Sequence, residues 1–173
     1  MLRSIIASVL VMLMTISHAS ASDIRRVVTG LDASNRSMAM FDSHVPLADI
    51  QPNFSLGYLW VTDTFPIGHS KADTKDKVTG ISPPENGTQF GVVDFKPVNP
   101  ANPTPPIWHR TRTVDYVMVI SGEIDLMLDE SVVHLKAGDT VVQQATNHAW
   151  VNRGKEICRL LFVVMGAAAS VLN

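Results

Sequence analysis

Residues Val114 to Gln144 read VDYVMVISGEIDLMLDESVVHLKAGDTVVQQ. Short alternating or β-branched runs, Val114–Ile120, Ile124–Leu128, Val132–Leu135 and Thr140–Gln144, are divided by turn residues. Alternation of apolar and polar side chains marks strands with one buried face. Ser121-Gly122-Glu123 and Lys136-Ala137-Gly138-Asp139 between them read as tight hairpin turns.

The same pattern extends outward from this stretch. Ile24–Thr29, Tyr58–Thr62, Phe90–Phe95 and Ile157–Val164 read as further strands, and Asn152-Arg153-Gly154-Lys155 as a third tight turn. Long helices find little support; only Leu47–Ile50 and the Ala-rich tail at Ala167–Ala169 hint at a helical turn. Short, evenly spaced strands predict an all-β barrel or sandwich. A chain of 173 residues suits one domain with one sizeable core.

Two connections stand out. Gly68 to Gly87 gathers Lys71, Asp73, Lys75, Asp76 and Lys77 and is expected to be a solvated surface loop. Residues 97–106 hold five prolines. They stiffen the chain and remove backbone donors, giving a rigid arm that leads into a strand at Ile107–Thr111.

The first residues have the order of a secretory signal: Arg3, an apolar run from Ile5 to Ile16 broken by Ser8 and Thr15, then Ala19-Ser20-Ala21 as the cleavage site. The alternative is a membrane anchor, but about a dozen apolar residues fall short of the roughly 20 that a spanning helix needs. Residues 1–21 are therefore expected to be removed, leaving a secreted or periplasmic protein of residues 22–173 with no membrane segment. The formal net charge is −2, and Lys and Arg are scattered, which disfavours a nucleic-acid partner. Cys158 is the only cysteine, so export implies no internal disulfide. It lies in an apolar run and reads as a buried, inert thiol. Asn35, Asn53 and Asn86 each begin a glycosylation sequon, which matters only in a eukaryotic host.

The chemistry-bearing residues follow from strand alternation. If Ile107–Thr111 is a strand, His109 and Thr111 share a face, and Asp115 opens the next strand. In Asn147–Asn152 the same alternation puts His148, Trp150 and Asn152 on one face. Were both segments to line one barrel, two imidazoles and a carboxylate would converge. That set holds a divalent first-row metal and leaves positions open for substrate. For any single His, a satisfied core or surface histidine is the competing reading. Gln143, Gln144 and Trp150 are weaker candidates, a glutamine for orienting a substrate and Trp150 for flooring the pocket; His44, His69 and His134 are expected to face solvent. Tyr116 should point away from Asp115.

The spacing of these residues resembles the cupin superfamily. Its first motif, Gly-x5-His-x-His-x3-4-Glu-x6-Gly, is matched by His109-Arg110-Thr111, three residues, Asp115, six residues and Gly122. Its second, Gly-x5-Pro-x-Gly-x2-His-x3-Asn, is matched by Gly138 through His148 to Asn152. Arg25-Arg26-Val27-Val28-Thr29-Gly30 and the strands up to Phe95 look like the amino-terminal strands of small cupins from bacteria and from fungal secondary-metabolite clusters. The chain departs from the motifs at Pro103, Thr111, Asp115, Gln143 and Ala145, and the first half of the second motif is one residue short. Family metal ligands therefore transfer fully only at His109 and His148.

The resemblance implies a double-stranded β-helix, or jelly-roll barrel, with its core near residues 88–165 and extra amino-terminal strands. It also implies an enzyme whose catalytic and metal-binding residues are His109, Asp115 and His148, with Thr111, Gln143 and Trp150 contacting a small-molecule substrate. Iron or manganese is favoured, and zinc or nickel would also suit, for an oxidoreductase or lyase. Two alternatives stay open: a metal-free protein that binds a small ligand, and a metal-free isomerase or lyase with His109 as base and Asp115 orienting it. Small cupins often pair through their sheets, which makes Ile24–Gly30 a candidate partner strand in a homodimer.

Overall fold

A computed structural model describes residues 23–77 and 80–167; the expected signal segment at residues 1–21 lies outside them, as do Ala168 and Ala169 of the Ala-rich tail. The described chain forms eleven strands and no helix: β1 Asp23–Leu31, β2 Ser37–Pro46, β3 Ala48–Gln51, β4 Phe54–Thr62, β5 Thr88–Phe95, β6 Thr113–Ser121, β7 Glu123–Leu128, β8 Val132–Lys136, β9 Thr140–Gln144, β10 His148–Val151 and β11 Cys158–Gly166.

A six-stranded sheet of order β3-β4-β5-β11-β6-β9 faces a three-stranded sheet of order β10-β7-β8, while β1 and β2 make a separate ribbon. All pairings are antiparallel. The architecture is all-β, as the strand pattern predicted, and takes the jelly-roll form that the resemblance implied. Between the two sheets Val119, Ile124, Leu126, Leu135, Cys158 and Leu160 pack as one buried cluster. A second cluster, Val45, Leu47, Leu59 and Val92, lies where the ribbon covers the outer side of the large sheet.

Four expectations are corrected. None of the three expected tight turns closes a hairpin. β6 pairs with β9 and β11 whereas β7 pairs with β8 and β10, so Gly122 carries the chain from one sheet to the other. Lys136–Asp139 and Asn152–Lys155 make the same crossing between β8 and β9 and between β10 and β11. Gly122 has φ 75°, and a Cβ there would stand 2.7 Å from Ile157 O, so this corner requires glycine.

Leu47–Ile50 is not helical; Ala48–Gln51 pairs with β4 at the sheet edge, where all four residues are exposed. The strand expected at Ile107–Thr111 shrinks to a single bridge at His109, next to an arm whose prolines cannot donate. The loop from Gly68 is only partly solvated. Asp73 accepts both Nη atoms of Arg26, at 2.8 and 2.6 Å, and the Thr74 hydroxyl accepts the Val61 amide at 3.2 Å.

Candidate functional site

β10 pairs with β7 on one side, and His109 closes on its other side. The amide of His109 donates to His148 O and that of His148 to His109 O, each at 3.0 Å. Residues bonded reciprocally across antiparallel chains project to the same face. Their imidazole centroids accordingly lie 4.2 Å apart, with planes at 53°. His109 Nδ1 is 3.2 Å from Ile107 O and His148 Nδ1 is 3.0 Å from Thr146 O. A carbonyl only accepts, so in neutral His109 Nδ1 carries the hydrogen and Nε2 keeps its lone pair, whereas His148 Nδ1 faces both an acceptor, Thr146 O, and a donor, Gln143 Nε2 at 3.2 Å. Burial lowers the pKa of His148 below the usual imidazole value, the Thr146 backbone opposes this, and the charge of His109 adds to it.

Asp115 approaches from the large sheet, level with Gln143 of β9 and Val164 of β11. It is 8 % exposed, and its Oδ1 is buried without a hydrogen-bond partner. Burial raises its pKa above the ordinary carboxyl value, against the opposing effects of a Thr113 hydrogen bond and the charge of His109. Arg110 is engaged elsewhere: its Nε donates to Ala145 O at 2.7 Å.

His109, Asp115, His148 and Trp150 line one cavity of about 190 Å³. Its other walls are largely apolar strand residues such as Leu56, Val93, Phe95 and Phe162. A few polar groups converging in an apolar cleft are the usual composition of a small-molecule site.

The remaining sequence candidates have different surroundings. Trp150 meets the His148 ring edge-on, centroids 6.0 Å apart, and faces the cavity. The Thr111 hydroxyl is 2.7 Å from that of Thr113, which in turn bonds Asp115. Gln143 is buried behind the pair, its carboxamide against the Thr146 carbonyl and hydroxyl and 3.2 Å from His148 Nδ1. Thr111 and Gln143 thus support the site's side chains and are not among the cavity's lining residues. Asn152 turns to the β10–β11 corner, donating to Phe95 O and Glu156 O at 2.8 Å and accepting the Gly154 amide at 2.9 Å. His134 is exposed and bonds Asp125 at 2.8 Å. Tyr116 faces outward and is 53 % exposed.

Sequence reasoning missed Asn53, Tyr58 and Ile81, which also line the cavity. Their positions follow from long-range strand order, and no local pattern announces them.

For a metal, the donor types fit: two imidazole lone pairs and a carboxylate with a free oxygen. Among the described residues, however, no group of three or more His, Cys, Asp or Glu is gathered so as to hold an ion.

Residues 96–164 match the cupin domain family model. The phomopsin biosynthesis cluster protein C' of Diaporthe leptostromiformis is 35% identical over 82% of this chain and 78% of its own. A cupin-domain-containing oxidoreductase of Neurospora crassa is 28% identical over 73% of this chain and 65% of its own. Among solved structures, an RmlC-like cupin from Shewanella frigidimarina is similar at TM-score 0.46 and 14% identity, covering 74% of this chain and 89% of that one. With its motif order, its jelly roll and a relative matched over most of both lengths, the chain belongs to the cupin superfamily.

Proposed function

We propose that the cavity is the active site of a small-molecule enzyme that moves a proton at a carbon next to a substrate carbonyl, as an isomerase or lyase does. His109 Nε2 takes the carbon-bound proton. Asp115, whose protonated form burial favours, donates a hydrogen bond to the carbonyl oxygen as it becomes an enolate oxygen. The proton then returns to another atom of the same molecule, or a leaving group departs, so no electron acceptor is needed. His148 and Trp150 hold the substrate against His109. The observation that carries this reading is the unpartnered, buried Asp115 oxygen in a cavity shared with two imidazoles. A carboxyl pushed toward its neutral form by burial, beside an imidazole nitrogen, is a pairing suited to acid–base chemistry.

Deuterium incorporation from heavy water into a panel of enolisable ketones and keto acids tests it. Exchange should survive strong chelation and disappear in His109→Gln and Asp115→Asn. Exchange that persists in both variants would sink the assignment.

A second reading is a metal-dependent oxidoreductase. Relatives carrying that description and the two imidazoles lining one cavity favour it. Iron or manganese would be held by His109, His148 and Asp115, and would supply Lewis-acid or dioxygen chemistry when bound. A metal content near one equivalent, lost in both His109→Ala and His148→Ala, would establish this reading over the first.

Two further proposals concern the whole protein. Export rests on the order of residues 1–21, and N-terminal sequencing of the protein recovered outside its cell should begin near Ser22. Homodimerisation rests on β1, which pairs only with β2 among the described strands and leaves Val27 and Leu31 about half exposed. Sedimentation should give a dimer that Val27→Asp weakens.

A further inference from the structure

The cavity is long relative to its volume. Its reactive end is at Asp115, which pairs with Val164, which in turn pairs with Gln89. Its other end is at Phe95, which pairs with Phe54, the first residue of β4. Gln89 and Phe95 both line the cavity and are six residues apart on one strand, so at 3.3 Å per residue its wall along β5 spans about 20 Å. A compact void of about 150 Å³ holds a benzene ring; about 190 Å³ drawn out over that length is a slot.

Asn53 stands at the far end, in the turn between β3 and β4. Its backbone carbonyl accepts the Lys96 amide at 2.8 Å, which fixes it beside Phe95. Its side-chain Oδ1 is buried without a partner, and Asn53 lines the cavity. Phe54 and Phe95 flank it, ring centroids 5.7 Å apart. A buried acceptor without a donor is costly unless something supplies one. Two residues with an unsatisfied buried oxygen, Asp115 and Asn53, therefore line the slot toward its two ends, with largely apolar residues between them.

We propose that the substrate is an elongated, uncharged molecule with an apolar middle whose hydroxyl or N–H group, at the end remote from the reacting carbonyl, is held by Asn53 Oδ1. Asn53 is then a specificity residue that selects both length and the distal donor. This rests on the cavity being the substrate site, as proposed above, and adds the chemistry of the substrate's other end.

The test uses methyl ketones of rising chain length, the ω-hydroxy counterpart of each, and the ω-methoxy ether, which has the oxygen but no donor. Affinities are measured by calorimetry on the wild-type chain and on Asn53→Leu. At the length that reaches Asn53, the hydroxyl should tighten binding about tenfold, equivalent to about 1.4 kcal/mol. The methoxy ether should lack the gain, and Asn53→Leu should abolish it while binding the plain ketone at least as well. Equal affinity for hydroxy and plain ketones at every length in the wild type overturns the proposal, as does a preference that persists in Asn53→Leu. The methoxy comparison needs no variant, so misfolding of Asn53→Leu cannot shield the proposal. Deuterium exchange without a hydroxyl preference defeats this inference alone; a hydroxyl preference without exchange upholds it and defeats the proton-transfer reading alone.

Discussion

His109 and His148 exchange backbone hydrogen bonds of 3.0 Å in both directions, and their rings meet 4.2 Å apart on the same side of the pair. The proline-rich arm thus ends by delivering an imidazole to β10, and the two rings share one electrostatic environment. Burial is the larger reason that His148 titrates below its ordinary value, and the charge of His109 is the smaller. In an NMR titration His148 should therefore protonate below 6.5, and His109→Gln should move it only part of the way back. A full return would mean that ring–ring repulsion, and not burial, dominates.

Asp115 makes a prediction about stability. Its folded pKa is raised from 3.8 by burial. Between 3.8 and that raised value the folded state holds more of this proton than the unfolded state, so stability falls as pH rises through the window. Above the window the buried anion is a standing penalty. Asp115→Asn, which cannot ionise, should raise the melting temperature above that window and lower the slope of stability against pH within it. A variant that is less stable than wild type above the window would show that the carboxylate is paired.

Ala145 occupies the place of a motif glycine and has φ 49°, in the left-handed region. Its amide donates to Thr113 O at 3.0 Å and its carbonyl accepts Arg110 at 2.7 Å, so the backbone is held there from both sides. An L-residue in this region costs about 1–2 kcal/mol. Removing the methyl relieves that strain but forfeits a buried group worth about 0.8 kcal/mol. Ala145→Gly should consequently stay within about 1 kcal/mol of wild type in urea unfolding, whereas Ala145→Val, with a branched Cβ at positive φ, should lose more than about 2 kcal/mol. Equal losses in the two variants would contradict the strain argument.

What the sequence disclosed depended on the range of the force involved. β5, β6, β7, β9 and β11 were legible because one face of each is more buried than the other, so burial wrote alternation into the residues; β8, with only Leu135 buried, was legible from its β-branched valines. β3 was missed because all four residues are exposed; β2 was missed because most of its residues face solvent or are half-buried. The turn residues at Gly122 and Gly138 correctly marked changes of direction. Which sheet the next strand joins depends on pairings such as Asp115 with Gln143, which no local pattern contains. His109, Asp115 and His148 were found through spacing and face. The same alternation put Thr111 and Gln143 on the inner side, but neighbours a few residues away absorb their polar atoms. Asn53 was invisible as a cavity residue, because only the β4–β5 register carries it to the end of the barrel.

Cys158 should be chemically silent. It is fully buried, and burial, with smaller contributions from Asp94 and Glu123, pushes its thiol up to about 11. The thiolate is the reacting species, so at pH near 8 the folded protein should resist a disulfide reagent and the urea-unfolded protein should react at once. Prompt labelling of the folded form would mean that the core around β11 opens readily.

The Arg26–Asp73 pair predicts an asymmetry between its two partners. Arg26 has 5% of its side chain exposed and Asp73 has 28%. Besides Asp73, Arg26 reaches Leu59 O at 2.9 Å and Ser43 at 3.1 Å, so it ties the ribbon, β4 and the long loop together. Asp73→Ala leaves a buried guanidinium without its counter-charge and should cost about 3 kcal/mol or more. Arg26→Met replaces the cation with an apolar chain of similar length, and the freed Asp73 can reach water, so the loss should be smaller. Arg26 holds Asp73 at about 2, below its ordinary 3.8. The unfolded state therefore takes up this proton first, and the pair's contribution, complete above 3.8, drains away as pH falls through about 2. Urea unfolding of both variants at neutral pH and near pH 2 measures both effects. The gap between Asp73→Ala and wild type should narrow at the acid end, and a larger loss in Arg26→Met than in Asp73→Ala would refute the view that the buried cation is the costly partner.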